Sequence, residues 1–264
     1  MTIKDTIRKY TNELKLVTHI PAKEVEILML HLLEKNTIWL HLNYNVEFEK
    51  EKELAVLVKK RAKNYPLEYI INKASFYGEM FIVKEGVLIP RPETEILVEN
   101  AIEILKDKKE IKVLEIGTGS GIISVMLAML IENIKIIAVD INEKALDLAK
   151  QNAIKHGVEN KIEFRLSNLY ENVQENDIFM TISNPPYIAN NYILPTNVKY
   201  EPSNALFGGV VGDELLKDII KATSEKKIPY LLCETGFDQK TPLENYFTEL
   251  HVEPYGFYNP SERL

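Results

Sequence analysis

Residues 111–140 read IKVLEIGTGSGIISVMLAMLIENIKIIAVD, a strand–turn–helix–strand pattern from which the architecture follows. A short apolar run, Ile111–Ile116, breaks into Gly117-Thr118-Gly119-Ser120-Gly121, resumes as a longer apolar segment to Ile131, and closes with a second strand-like run, Lys135–Asp140. Glycines permit a tight strand-to-helix turn and let the backbone come close to a ligand. Outward from this unit the alternation continues. A helix is predicted through Asn142–His156, strands at Ile162–Leu166, Ile178–Ser183 and Tyr230–Cys233, and helices at Asp213–Lys226 and about Thr241–Leu250. Such alternation predicts an α/β fold with a mostly parallel, doubly wound sheet and helices on both faces. Ligands on sheets of this kind bind at the carboxyl ends of the strands, where the strand order reverses.

The chain before this region has a different texture. Residues 2–64 read as helical: Thr2 with Asp5 forms a capping pair ahead of Ile3, Ile7, Tyr10 and Leu14. Pro21 suits the first turn of a second helix carrying Val25, Leu28 and Leu32. A third helix is predicted over Glu49–Lys63, with Leu54, Val56, Leu57 and Val58 inward and Lys59-Lys60-Arg61 as a solvated face. From Phe76 the pattern turns strand-like, and Met80–Val83, a turn at Glu85-Gly86 and Val87–Ile89 predict a hairpin. Pro90-Arg91-Pro92-Glu93-Thr94-Glu95 follows, with Glu93 or Thr94 opening a helix over Ile96–Lys106. The expected organisation is therefore a small helical bundle at 1–73, a β-hairpin connector at 74–89 and the α/β domain at 90–264.

Composition narrows the function classes. With 264 residues, 45% of them apolar and 27% charged, the chain is long enough for one large or two smaller domains. No apolar run approaches the roughly 18–20 residues of a membrane span, and the N-terminus lacks a signal-peptide core. The single Cys233 excludes an internal disulfide framework and fits a reducing cytoplasm. Five scattered histidines lack metal-ligand spacing, so no metal site is expected. Residues 1–73 carry a net charge of +3 and the remainder −10, which argues against the basic face that a DNA-binding protein needs.

Two motifs carry chemistry. In the glycine loop the third glycine comes one residue before the position a dinucleotide fingerprint requires, where Ile122 stands. Gly117-x-Gly119-x-Gly121, with Glu115 two residues ahead, suits S-adenosylmethionine, which has no phosphate but has an amino-acid tail, a sulfonium and a ribose. Thr118 and Ser120 complete that loop. Asp140 closes the second strand, where a carboxylate accepts hydrogen bonds from both ribose hydroxyls; its alternative role is a helix N-cap. Glu115 is placed to engage the amino-acid end through water. Asn168 and Leu169 follow the third strand, an amide for the adenine amino group and an apolar side chain for its face; Leu169 reads equally as core.

The second motif is Asn184-Pro185-Pro186-Tyr187, after the apolar run Ile178–Ile182. Proline locks φ, lacks an N–H and restricts the residue before it. The backbone carbonyls are thereby freed from ladder pairing. The arc suits a planar amino group: oxygens of Asn184 and Pro185 take its two protons, and Tyr187 covers its face. Alone, the tetrapeptide reads equally as a Pro-rich turn after a buried strand.

With both motifs placed, the chain resembles the release factor glutamine methyltransferase family. The resemblance runs through the helical N-terminal part, Leu88–Glu95, Gly117–Gly121, Asp140, Ser183–Ile188, Tyr200-Glu201-Pro202, Ala205-Leu206 and Glu234-x-Gly236. It implies a seven-stranded-type, Rossmann-like methyltransferase sheet. It also implies a cytoplasmic enzyme that methylates the glutamine side-chain amide of the Gly-Gly-Gln motif in peptide chain release factors. Asn184 would then also border the cofactor, and Asn184, Pro185 and Tyr187 would be catalytic, with Pro186 completing the substrate contact. The sequence departs from the family pattern at Glu115 and Asn168, where aspartate is usual, and in Gly208–Asp213, a variant of the usual Gly-Gly-x-x-Gly loop. It stops at Ser261–Leu264, where a last strand is expected to continue. Three other readings stand beside it: an adenine-N6 nucleic-acid methyltransferase, which flips out an equally planar amine; a nicotinamide-dependent oxidoreductase; and a non-catalytic release-factor-binding module.

Overall fold

The structure is a computed structural model that describes residues 1–250 together with Val252, Pro254, Gly256 and Phe257. The described chain divides into two compact units, one of residues 1–73 with 194–200 and one of the rest.

The first unit is helical: α1 (Ile3–Leu14), α2 (Pro21–Leu33), α3 (Thr37–Leu42), α4 (Glu51–Arg61) and α5 (Leu67–Ile71). The capping pair is in place, with Asp5 N–H donating to Thr2 Oγ1 at 3.1 Å, and Pro21 opens α2. Ile3, Ile7, Leu14, Val25, Leu28, Leu54 and Val58 form its apolar interior. Two expectations for the third helix are corrected. Val56 is exposed, because Leu54 and Val58 stand four residues apart and share the inward face that Val56 cannot reach. Arg61 is buried rather than solvated: its guanidinium makes a two-pronged contact with the buried Glu24 carboxylate, at 2.6 and 3.1 Å. Helices α3 and α5, of 6 and 5 residues, escaped the sequence because so few residues carry no readable period.

The second unit begins at Ala74, within β1 (Lys73–Phe76), which is followed by β2 (Glu79–Ile82); the two are joined by Tyr77 and Gly78, both at positive φ. That is the geometry of a two-residue hairpin turn, and it relocates the expected hairpin. Residues 85 and 86 do turn, but Val87–Ile89 forms no strand among the described residues. The N–H of Ile89 goes instead to the buried Glu201 carboxylate at 3.0 Å, and the Gly86 carbonyl accepts from Asn142 Nδ2.

Then follow α6 (Thr94–Leu105), β3 (Ile111–Ile116), α7 (Ile122–Leu130), β4 (Ile134–Asp140), α8 (Glu143–Lys155), β5 (Ile162–Leu166), β6 (Met180–Ser183), the short pair β7 (Ile188–Ala189) and β8 (Phe207–Gly209), α9 (Glu214–Glu225), β9 (Tyr230–Cys233) and α10 (Lys240–Glu249). Among the described residues the main sheet has five strands in the order β5-β4-β3-β6-β9, all parallel. The segment 261–264, where a last strand is expected to continue, lies outside the described residues. Every residue of β6 is buried, as expected for a strand covered on both faces. Val113, Ile136 and Ile182 pack with α6 and α7 on one face, and Leu114, Ile137 and Val139 pack with Tyr170 and Ile219 on the other.

The chain travels from β3 outward to β5, then returns across β3 to β6 and β9, so the order reverses between β3 and β6. Register does the rest. Ile116 is level with Val139 and with Ser183, Asp140 with Leu166, and Ser183 with Cys233. Gly117, Asp140, Ser167, Asn184 and Glu234 therefore emerge at one edge of the sheet.

Candidate active site

A cleft of about 980 Å³, partly open to solvent, lies at that edge. Gly117, Thr118, Gly119 and Ser120 line it, as do Asp140, Asn168, Leu169, Asn184 and Pro186. A Cβ added at Gly117 or Gly119 meets no protein atom within 4 Å, so the loop presents bare backbone to open space. Gly121 is not among the lining residues. Its φ is +81°, and a Cβ there would stand 2.9 Å from that of Ala149 on α8, so glycine is what lets α8 pack against the loop.

Glu115 and Asp140 give the cleft its charge. Oε2 of Glu115 accepts from Thr118 Oγ1 at 2.8 Å, from Ser124 N–H at 3.1 Å and from the Ser124 hydroxyl. Oε1 is buried and has no partner among the described residues. Burial raises this carboxyl to about 7; the Ser124 and Thr118 hydrogen bonds oppose the rise and Asp140 adds to it. Asp140 is also raised by burial, against the N–H groups of Gly119 and Asn142, which it accepts at 2.9 Å each. One oxygen thus fixes the glycine loop and the other the start of α8. The helix cap itself is Asn142, whose side chain accepts from Lys144 N–H. Asp140 keeps further lone pairs for a ligand.

Asn168 is exposed and donates its amide nitrogen to Glu171 at 2.9 Å. Leu169 has φ +47°, uncommon outside glycine, and both borders the cleft and packs on the core. Pro185 and Tyr187 are absent from the lining: Pro185 is buried, and the Tyr187 hydroxyl donates to Glu234 at 3.1 Å. Burial, together with the Glu234 charge, raises the Tyr187 phenol far above its ordinary range.

The Asn184–Tyr187 segment is held from behind by the glycine loop variant. A Cβ at Gly208 would stand 2.3 Å from the Pro186 carbonyl oxygen, so only glycine allows β8 to lie there. Gln239 Nε2 donates to the Tyr187 carbonyl at 3.0 Å. Sequence reasoning also left Arg91, Thr94 and Ser167 without a place at the site, although all three line the cleft. The Pro90–Glu95 motif was the available signal for the first two; Ser167 had none.

Comparison with known proteins settles the family. Residues 93–198 match the methyltransferase small domain and residues 5–71 the PrmC N-terminal domain. A release factor glutamine methyltransferase of Fusobacterium nucleatum is 37% identical, covering 89% of this chain and 71% of that protein. Those of Aquifex aeolicus and Dictyoglomus turgidum are 35% and 38% identical, over 90% and 91% of this chain and 84% and 89% of theirs. This chain belongs to the release factor glutamine methyltransferase family. The hMettl16 catalytic domain shares the fold, with a TM-score of 0.52 at 16% identity over 64% of this chain and 66% of that one. The chain is an S-adenosylmethionine-dependent methyltransferase with a Rossmann-like sheet and a helical N-terminal part.

The residues present fit that cofactor. The bare loop at Gly117–Ser120 accepts close approach, Asp140 offers acceptors, and the partnerless Oε1 of Glu115 calls for a donor such as an ammonium group. A pH dependence follows. The folded carboxyl of Glu115 holds its proton to about 7, whereas an unfolded glutamate releases it near 4.3. The unliganded protein therefore loses stability as pH rises across that window. Cofactor binding favours the ionised form, so affinity measured by calorimetry is expected to rise by about tenfold from pH 6 to 8. Glu115→Gln should flatten that rise; an unchanged slope in the variant would exclude Glu115 as its source.

Proposed function

We propose that the cleft transfers a methyl group to the glutamine side-chain amide of the Gly-Gly-Gln motif in peptide chain release factors, with Asn184–Tyr187 holding the amide. The observation that carries this reading is Asn184 itself. It borders the cleft beside the cofactor loop, and its amide nitrogen is already committed to Thr94 at 2.9 Å. The oxygen is the end left to accept a proton from a substrate amine.

Bound S-adenosylmethionine supplies a methyl group on a sulfonium, which departs as a neutral thioether. An amide nitrogen is a poor nucleophile because its lone pair is delocalised into the carbonyl. Asn184 Oδ1 and the Pro185 carbonyl would each accept one N–H of the substrate, aim the lone pair, and favour the positive charge that develops on nitrogen. Tyr187 would cover the amide plane, and Pro186 would shape the wall. The methylated nitrogen is strongly acidic and loses its extra proton to solvent, so no base is needed before transfer. Gly117–Gly121, Asp140, Asn168 and Leu169 would hold the cofactor, with Asn184 at its border.

Residues 1–73, which match the PrmC N-terminal domain over 5–71, would dock the release factor while 90–264 carry the chemistry. A substrate of this kind places the enzyme in the cytoplasm; no helix among the described residues is long and apolar enough to cross a membrane. The test offers purified release factor and DNA in parallel with labelled S-adenosylmethionine. Label is expected on the release factor and not on DNA, and replacing the glutamine of its Gly-Gly-Gln motif should abolish it. Deleting residues 1–73 should spare cofactor binding yet sharply lower methylation at limiting release factor. Label on DNA instead, or undiminished turnover by the truncated protein, would overturn the respective assignment.

A further inference from the structure

The hydroxyl of Thr94 is fully buried between groups from distant parts of the chain. It accepts from Asn184 Nδ2 at 2.9 Å and donates to Glu234 Oε2 at 2.7 Å. The second oxygen of Glu234 accepts from the Tyr187 hydroxyl at 3.1 Å. Thr94 begins α6, Asn184 and Tyr187 follow β6, and Glu234 follows β9, its N–H donating to the Ser183 carbonyl at 3.0 Å. The motifs Pro90–Glu95 and Glu234-x-Gly236, which carried no chemical role in the sequence, thus meet behind Asn184.

Each bond in this chain sets the direction of the next. An ionised carboxylate only accepts, so Thr94 must donate to Glu234, and a hydroxyl has one proton to give. Thr94 then offers Asn184 only lone pairs, and the amide must turn its nitrogen to Thr94. We infer that Thr94 and Glu234 are positioning residues for the methyl transfer: the chain Tyr187–Glu234–Thr94–Asn184 decides which end of the Asn184 amide meets the substrate nitrogen. The inference rests on the assignment of Asn184 to the amide pocket. With the amide reversed, a donor would face a donor, and the substrate lone pair would lose its aim.

Burial raises Glu234 above the ordinary carboxylate range, the Thr94 and Tyr187 hydrogen bonds pull it back, Glu93 pushes it up and Arg91 draws it down. Once protonated, Glu234 can donate to Thr94 and the direction of the chain is lost. Activity at saturating cofactor should therefore fall as pH drops through this titration.

The experiment is single-turnover methylation of intact release factor at saturating S-adenosylmethionine, with cofactor affinity and melting temperature measured alongside. Thr94→Val replaces the hydroxyl by a methyl of the same shape; turnover is expected to fall about 10²-fold, the scale of a misplaced reacting group, with cofactor affinity unchanged. Thr94→Ser should recover most of that loss. Glu234→Gln keeps the shape but does not titrate, so the acidic limb of the pH–rate profile should vanish; if Thr94→Val does not fold, this profile decides alone. Wild-type turnover in Thr94→Val, or an unaltered acidic limb in Glu234→Gln, overturns the positioning role while Asn184→Ala stays impaired. Wild-type turnover in Asn184→Ala removes the amide pocket, and this inference with it.

Discussion

Asn184→Ala is expected to lower single-turnover methyl transfer by about 10²–10³-fold, the usual cost of removing one oriented group that stabilises a transition state. Folding should survive, because the loss inside the protein is one hydrogen bond to Thr94. A neutral hydrogen bond contributes about 1 kcal/mol, which shifts the melting temperature of a unit this size by roughly 2–4 °C. If Asn184 only shaped a turn, the order would reverse: a clear drop in melting temperature with turnover close to wild type. Asn184→Asp is the sharper probe. It keeps an acceptor oxygen but sets a second carboxylate on the far side of the Thr94 hydroxyl from Glu234. One proton cannot serve both, so the introduced carboxylate is expected to take up a proton or turn away, and turnover should fall even where cofactor still binds.

Asp140→Ala should weaken S-adenosylmethionine binding by roughly 1.5–3 kcal/mol, the scale of hydrogen bonds involving a charge, or about 10–150-fold. The structure adds a second cause to the loss of ribose contacts. Asp140 accepts the N–H groups of Gly119 and Asn142 at 2.9 Å each, so its removal also loosens the loop that lies under the ligand. Asp140→Asn keeps one acceptor oxygen and should fall between the two. Calorimetry checks both variants, and NAD, included as a control, should not bind either protein or the wild type. Wild-type affinity in Asp140→Ala, or tight binding of NAD, would refute the cofactor assignment for this loop.

The class of the fold and most of the cofactor edge were legible in local sequence alone. The alternation of strand and helix from Ile111 onward is local, and a parallel sheet whose order reverses between β3 and β6 places Gly117, Asp140 and Asn184 together whatever the surface details. Asn184–Tyr187 was legible because two prolines restrict the chain before any tertiary contact forms. Short or two-sided features were not legible. Val56 and Arg61 depend on which helix faces meet, and Ile89 gives its N–H to a carboxylate 112 residues away rather than to a strand partner. Gly121 and Gly117 look alike in a glycine-rich string, yet one faces Ala149 and the other open space. The support behind Asn184 is the clearest case. Thr94, Asn184 and Glu234 are separated by 90 and 140 residues from Thr94 onward, and no local pattern announces that they share one hydrogen-bonded line. That line exists only because the start of α6 meets the ends of β6 and β9 at one sheet edge, where buried polar groups must find partners in one another.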